Sequence, residues 1–282
     1  MGCDMIQVSG MPFQLTDSSN FGNEQTIIIK AMIDAPSLYS FSSFNDLLFD
    51  INLRKEIIES AKEMSEGESE FTTFQYTQCN PEYWYLTTEG GFQLNRNKYP
   101  SDAIRDIYIN SSLYAFECAM ACVITFYKAT LDRIGEGMFN YVFQNLYLYS
   151  WHTDVDLGLY TFYGDHFIPG DVVYFNNPEY DPSTPWYRGV NAVAMFDDDV
   201  FGHGFGIKST EGMIQTLNET RKPESNQTAY LTSLVTRISI QNSANRSTLN
   251  PLYKQQPMII HHNKPSISYR HYLSYLYKMF MS

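Results

Sequence analysis

Leu113-Tyr114-Ala115-Phe116-Glu117-Cys118-Ala119 is the stretch on which the reading of this 282-residue chain turns. It sets a cysteine at the start of a predicted helix, directly after a glutamate and an aromatic-rich approach. Eighty-five residues after Cys118 comes a histidine between glycines, in Phe201-Gly202-His203-Gly204-Phe205-Gly206. A thiol at a helix N-terminus sees the positive end of the helix dipole and unpaired backbone N–H groups, both of which favour the thiolate. The same N–H groups can hold the oxyanion of an acyl-transfer intermediate. A neighbouring imidazole can pair with the thiolate and shuttle its proton. Cys118 and His203 are therefore the candidate nucleophile and base. The competing account is structural: a helical cysteine is commonly a small buried hydrophobe. His152, His166, His261, His262 and His271 compete for the histidine role.

Working outward, the pattern predicts a central helix from about Ser112 to Ile134, with Asn110, Ser111 and Ser112 as capping residues and Gly135 and Gly137 after its end. Residues 5–35 read as a strand, a polar turn and a short helix. Ser43 followed by Asp46 resembles a capping box, and Phe44, Leu47, Leu48, Ile51, Ile57, Ile58 and Ala61 follow at helical spacing. The charged run from Lys62 to Glu70 reads as a solvated loop. Tyr83 to Leu86 reads as a strand turned by Glu89-Gly90-Gly91, and Pro100-Ser101-Asp102 starts a short helix. Gly170 to Phe175 reads as turn then strand. Val190 to Phe196 and Val200 to Ile207 read as a hairpin around Asp197-Asp198-Asp199. That hairpin puts Phe201, His203, Phe205 and Ile207 on one strand face and Gly202, Gly204 and Gly206 on the other. Residues 227–240 read as a last helix or strand.

The composition is globular, with 44% hydrophobic and 18% charged residues, and rich in aromatics, with 22 Tyr and 19 Phe. A net charge of −12 argues against nucleic-acid binding. No apolar run reaches the length of a membrane span, and the N-terminus lacks the basic and apolar regions of a secretory signal. Four cysteines, Cys3, Cys79, Cys118 and Cys122, are too few and too irregular for a disulfide scaffold, so reduced thiols in a cytosolic protein are expected. Two regions follow: a body, residues 1–240, and an extension, residues 241–282. The extension has no acid and five bases (Arg246, Lys254, Lys264, Arg270 and Lys278), so the body carries −17. Lys254-Gln255-Gln256 in the extension offers an amine and two carboxamides close together.

The two candidate segments resemble the small transglutaminase of endospore-forming bacteria, which crosslinks spore-coat proteins. The likeness runs in one order over about residues 5–240. It takes in Met5 to Gly10, Leu53-Arg54, Tyr83-Trp84, Pro100-Ser101, Ala103 to Ile107 and Tyr114 to Ala119. Further on it takes in Leu148-Tyr149, Trp151-His152, Gly170-Asp171, Tyr174-Phe175, Asn177-Pro178-Glu179, Asp181-Pro182, Arg188-Gly189, His203-Gly204, Gly206-Ile207, Ala229 to Leu231 and Val235 to Arg237. The resemblance implies an α+β core related to papain-like and NlpC/P60 cysteine enzymes, with the nucleophile at a helix N-terminus and the histidine on a strand of an antiparallel sheet. It implies protein-glutamine γ-glutamyl transfer: Cys118 attacks a glutamine carboxamide, ammonia leaves, and a lysine amine takes the acyl group as an isopeptide. It implies no metal or other cofactor, protein partners that donate glutamine and lysine, and a path from the mother-cell cytoplasm to the spore coat.

One position departs from the pattern. The family carries a catalytic glutamate immediately after Arg-Gly, where this chain has Arg188-Gly189-Val190-Asn191. Valine neither orients a base nor moves a proton. Asn191, one residue on, faces the opposite side of a strand from Val190. Glu117, which the family uses as a partial substitute, is the candidate replacement, about 100° round the helix from Cys118. Three readings follow: a transglutaminase using Cys118, His203 and Glu117; an impaired homologue retained as a coat or scaffold protein; and a thiol amidase or peptidase on the related fold, with water in place of the amine.

Overall fold

The computed structural model describes residues 6–15 and 21–239, with two further strand pieces at Ile259–Ile260 and Ile267–Ser268. In the N-terminal part, β1 (Ile6–Val8), β2 (Met11–Pro12), α1 (Asn23–Ile33) and β3 (Tyr39–Phe41) form the expected strand, turn and helix, with a small sheet in the order β2-β1-β3. Ile6, Ile28, Ile29, Met32 and Phe41 bury against Leu47 and Ile51 of α2 (Phe44–Glu66). Ser43 caps α2, its hydroxyl accepting from the Asp46 N–H at 3.2 Å. The helix runs on to Glu66, through much of the charged run expected to be a loop. Lys, Glu and Met are good helix formers, Ala61 and Met64 stay buried, and Lys62 pairs with Glu59 on the outer face at 2.8 Å.

Next come β4 (Glu70–Phe71), β5 (Trp84–Leu86), β6 (Phe92–Leu94), α3 (Pro100–Ile109), β7 (Ala115–Phe116), α4 (Cys118–Ile134), α5 (Glu136–Val142) and β8 (Tyr147–Leu148). The central helix ends where expected but begins at Cys118. Ser111–Leu113 forms one 3-10 turn instead, and Ala115–Phe116 is drawn into a parallel pair with Glu70–Phe71. Tyr114 fixes the approach by donating its hydroxyl to Asp106, whose carboxylate also accepts from Asn80 and Asn110.

The main sheet is antiparallel throughout, in the order β13-β12-β11-β10-β14-β9. Its strands are β9 (Tyr160–Tyr163), β10 (Val172–Asn176), β11 (Gly189–Ala194), β12 (Asp199–Gly202), β13 (Gly206–Ser209) and β14 (Tyr230–Arg237); helix α6 (Thr210–Glu219) follows β13. The pleat sends Val172, Val193 and Phe201 into the core with α2, α3 and α4. It sends Val173, Phe175, Val190, Ala192 and Val200 to the other face, with Met213 and Leu217 of α6. The expected hairpin forms around Asp197 and Asp198, both at positive φ. Its second strand breaks after Gly202: His203, Gly204 and Phe205 make a turn before β13 starts. Three glycines in alternation leave no side-chain surface to hold a continuous strand there, so the shared face expected for Phe201, His203, Phe205 and Ile207 does not exist.

Asp171, fully buried, ties the parts together. Its carboxylate accepts from Arg54 of α2 at 2.9 Å and from Arg237 of β14 at 2.6 Å, and Arg237 also donates to the Tyr39 hydroxyl at 3.0 Å. Among the described residues, no helix is long and apolar enough to cross a membrane.

Candidate active site

Glu117 is the N-cap of α4 rather than a residue within it. Its backbone is extended, and its carboxylate folds over the first turn, accepting from the N–H of Ala119 at 2.7 Å and of Met120 at 2.8 Å. That occupies two of the N–H groups that a helix N-terminus leaves unpaired. Cys118 is the first helical residue, half-buried. The Glu117 carboxylate is the immediate neighbour of the Cys118 thiol, and the two act on each other's protonation. Burial raises the Glu117 carboxyl above its usual range, against the opposing effect of the two N–H bonds, the thiol and Arg188. Burial, then the Glu117 charge, pushes the Cys118 thiol up to about 12. The expected lowering by the helix dipole is outweighed: desolvation and an adjacent carboxylate both disfavour the thiolate.

Cys118 and Glu117 line a cavity of about 210 Å3. Phe71 to Phe74, Trp151, Tyr174, Pro185, Trp186, Arg188, Gly189 and Asn191 line it with them. Trp151 and Trp186 face the cavity, whereas Tyr114, Phe116 and Phe201 belong to the core. Gly189 has no room for a side chain, because a Cβ there would meet the Tyr174 hydroxyl and the Phe175 carbonyl.

His203 is not among the lining residues. Its Nε2 donates to the Glu70 carbonyl at 3.1 Å, and its ring stacks on Phe116 with centroids 4.6 Å apart. It is 4% exposed, and burial lowers its pKa to about 4 against the favourable carbonyls of Glu70 and Phe116. The structure thus brings Glu117 to Cys118 and sets His203 behind Phe116, one residue before that pair. His152 packs on Tyr147 and His166 Nε2 contacts the Ala31 carbonyl at 3.0 Å; His261, His262 and His271 lie outside the described residues.

Val190 and Asn191 do face opposite sides of β11, and it is Asn191 that reaches the cysteine. Asn191 Nδ2 lies 3.5 Å from Cys118 Sγ. Val190 is fully buried in the apolar cluster with Phe175 and Met213, against which Cys118 also packs. Strand alternation was available in the sequence; which face met the helix was not. A half-buried thiol, a carboxylate beside it and an aromatic-walled cavity in front of both suit attack on a carboxamide.

The sequence matches the model of the protein-glutamine γ-glutamyltransferase family over residues 5–247. The chain belongs to that family. Its activity is therefore acyl transfer, from protein-bound glutamine, on a papain-like α+β core. A protein-glutamine γ-glutamyltransferase of Halalkalibacterium halodurans is 51% identical over 279 residues, covering 98% of each chain, so the match runs on through the extension. One from Bacillus cereus is 44% identical over 227 residues, 80% of this chain and 82% of that one. The solved structure of a transglutaminase from Geobacillus stearothermophilus, without its C-terminal extension, superposes with a TM-score of 0.69 at 42% identity. It covers 72% of this chain and 97% of that one. Among the described residues no group of three or more His, Cys, Asp or Glu could hold a metal ion.

Proposed function

We propose that this chain crosslinks proteins with Cys118 as nucleophile, Glu117 as general base and His203 as a positioning residue. The observation that carries the assignment is that Glu117, folded over the first turn of α4, lines the same cavity as Cys118 and acts on its thiol. A thiol held near pH 12 does not ionise alone at neutral pH, so attack and proton transfer occur together. The sulfur lone pair forms the C–S bond, the S–H proton passes to Glu117, and the C–N bond breaks with that proton leaving on ammonia. In the second half Glu117 takes a proton from the incoming lysine amine as it attacks the thioester, and returns it to sulfur. Trp151, Trp186 and Phe71 limit water at the thioester, which favours transfer over hydrolysis. His203, neutral and bonded to Glu70, braces β4 against the Phe116-Glu117-Cys118 segment.

The substrates we infer are spore-coat proteins, reached by synthesis in the mother-cell cytoplasm followed by assembly into the coat. Support comes from the likeness to enzymes of endospore formers across most of the chain. Fractionation of sporulating cells tests location: protein confined to the vegetative cytosol would refute the coat. Incorporation of a fluorescent amine into a glutamine-bearing protein tests the chemistry. Loss in Cys118→Ala and a large fall in Glu117→Gln are expected. A wild type that is silent until Val190→Glu restores it would instead favour the impaired homologue. Ammonia release without incorporation would favour the amidase.

A further inference from the structure

Cys118 has a second polar neighbour. The pleat of β11 buries Val190 and Ala192 against α6, so Asn191 and Val193 point to the α4 side. Asn191 stands in register with Tyr174 of β10, and both side chains line the cavity. The carboxamide Nδ2 lies 3.5 Å from Sγ, within hydrogen-bond reach of sulfur. A donor in that place favours the ionised form of the sulfur.

Building on the proposed mechanism, we propose that Asn191 is a further catalytic residue, whose carboxamide holds the Cys118 sulfur and stabilises the charge it carries as its proton leaves for Glu117. The need follows from the surroundings. Cys118 packs on an apolar cluster and beside a carboxylate, and both penalise negative sulfur. Arg188, on the same cavity wall, acts on Glu117. A carboxamide supplies donors without charge and cannot take the proton that Glu117 must receive. The same carboxamide serves when the lysine amine displaces sulfur from the thioester and the sulfur again carries charge.

The test is the pH dependence of Cys118 alkylation by iodoacetamide on the full chain, read by mass spectrometry with the label localised to Cys118. Wild type, Asn191→Ala and Asn191→Asp are compared, with Cys79 labelling as the reference for an intact fold. In Asn191→Ala the alkylation rate at pH 8 is expected to fall roughly 10- to 100-fold, the effect of losing a hydrogen bond to a charged group, with the midpoint moved up. Asn191→Asp, of the same shape but anionic, moves the midpoint further and decides the matter if the alanine variant does not fold. Superimposable Cys118 curves in wild type and both variants overturn the proposal. An Asn191-dependent curve in a protein that incorporates no amine supports the proposal while defeating the transferase reading.

Discussion

A carboxylate that caps a helix is ordinarily held ionised by the N–H groups it accepts. At Glu117 burial outweighs the bonds from Ala119 and Met120, so this carboxyl titrates higher than usual and sits closer to the thiol it must deprotonate. The same burial acts in the opposite sense on His203. With a folded pKa of about 4 against an ordinary 6.5, the unfolded chain takes up a proton at this residue that the folded chain refuses. Stability on this account is full above pH 6.5 and is lost as pH falls towards 4, by about 3 kcal/mol. Glu117, shifted upward, acts in reverse, so the difference between wild type and His203→Gln isolates the imidazole. The wild-type melting temperature should fall more steeply between pH 6.5 and 4 than that of the variant; parallel curves would refute a buried neutral ring. Val190 gives a second residue-scale expectation. It is fully buried among Phe175, Ala192 and Met213, and its Cγ2 lies 3.1 Å from where a Cβ on Gly202 would sit. Val190→Glu drives a longer, ionisable side chain into that cluster and should cost on the order of 3 kcal/mol in urea unfolding. An unchanged midpoint would mean the cluster holds a polar outlet near residue 190.

The elements around the site are short, and their placement depends on one tight turn. Gly204 has φ +84°, and a Cβ there would lie 2.5 Å from Phe71 Cβ. The turn carrying His203 therefore presses directly on β4, which pairs with β7 immediately before Cys118. Gly204→Ala combines a strained φ with a clash against a strand that lines the cavity. It should lower the melting temperature and reduce amine incorporation at least tenfold, more than a loss of stability alone explains at temperatures where the variant is folded. Full activity in a folded Gly204→Ala would disconnect the turn from the site. This contact also shows where reading the sequence stopped. Helices α2 and α3, the Ser43 cap and the hairpin around Asp197-Asp198 follow from spacing and turn chemistry within a few residues. The start of α4 does not. Asn110, Ser111 and Ser112 are all good local caps, yet a parallel pairing with Glu70–Phe71, some 45 residues earlier, claims Ala115 and Phe116 and moves the first helical residue to Cys118. The local signal found the nucleophile, and a non-local pairing made Glu117 its cap.

Over the whole molecule, the fold is held by a carboxylate that no single segment explains. Arg54, Asp171 and Arg237 fall in three separate family-like segments, 117 and 66 residues apart along the chain. The sequence marks each of them, but only the fold joins them: α2 supplies Arg54, the turn before β10 supplies Asp171, and β14 supplies Arg237. Asp171 is fully enclosed and also accepts from the Ile168 N–H at 2.9 Å, so its oxygens are satisfied from three directions. Through Arg237 and Tyr39 the network reaches the N-terminal sheet, and through β10 it bears on Tyr174 in the cavity wall. Removing the carboxylate leaves Arg237 with a hydroxyl and no acid, and Arg54 with Asp50 at 2.9 Å and the Pro169 carbonyl at 3.1 Å. Breaking one side of a buried ion pair costs about 3–5 kcal/mol, because the remaining charge stays desolvated. Asp171→Ala is therefore expected to lower urea stability by that amount, and Asp171→Asn, which keeps an acceptor for Ile168, by less. Where the variants remain folded, Cys118 alkylation should match wild type, because the network fixes the frame and makes no contact with the thiol. A cost below about 1 kcal/mol for Asp171→Ala would mean that the two arginines find water or another acid, and that packing of α2 on α4 alone holds the halves of the core together.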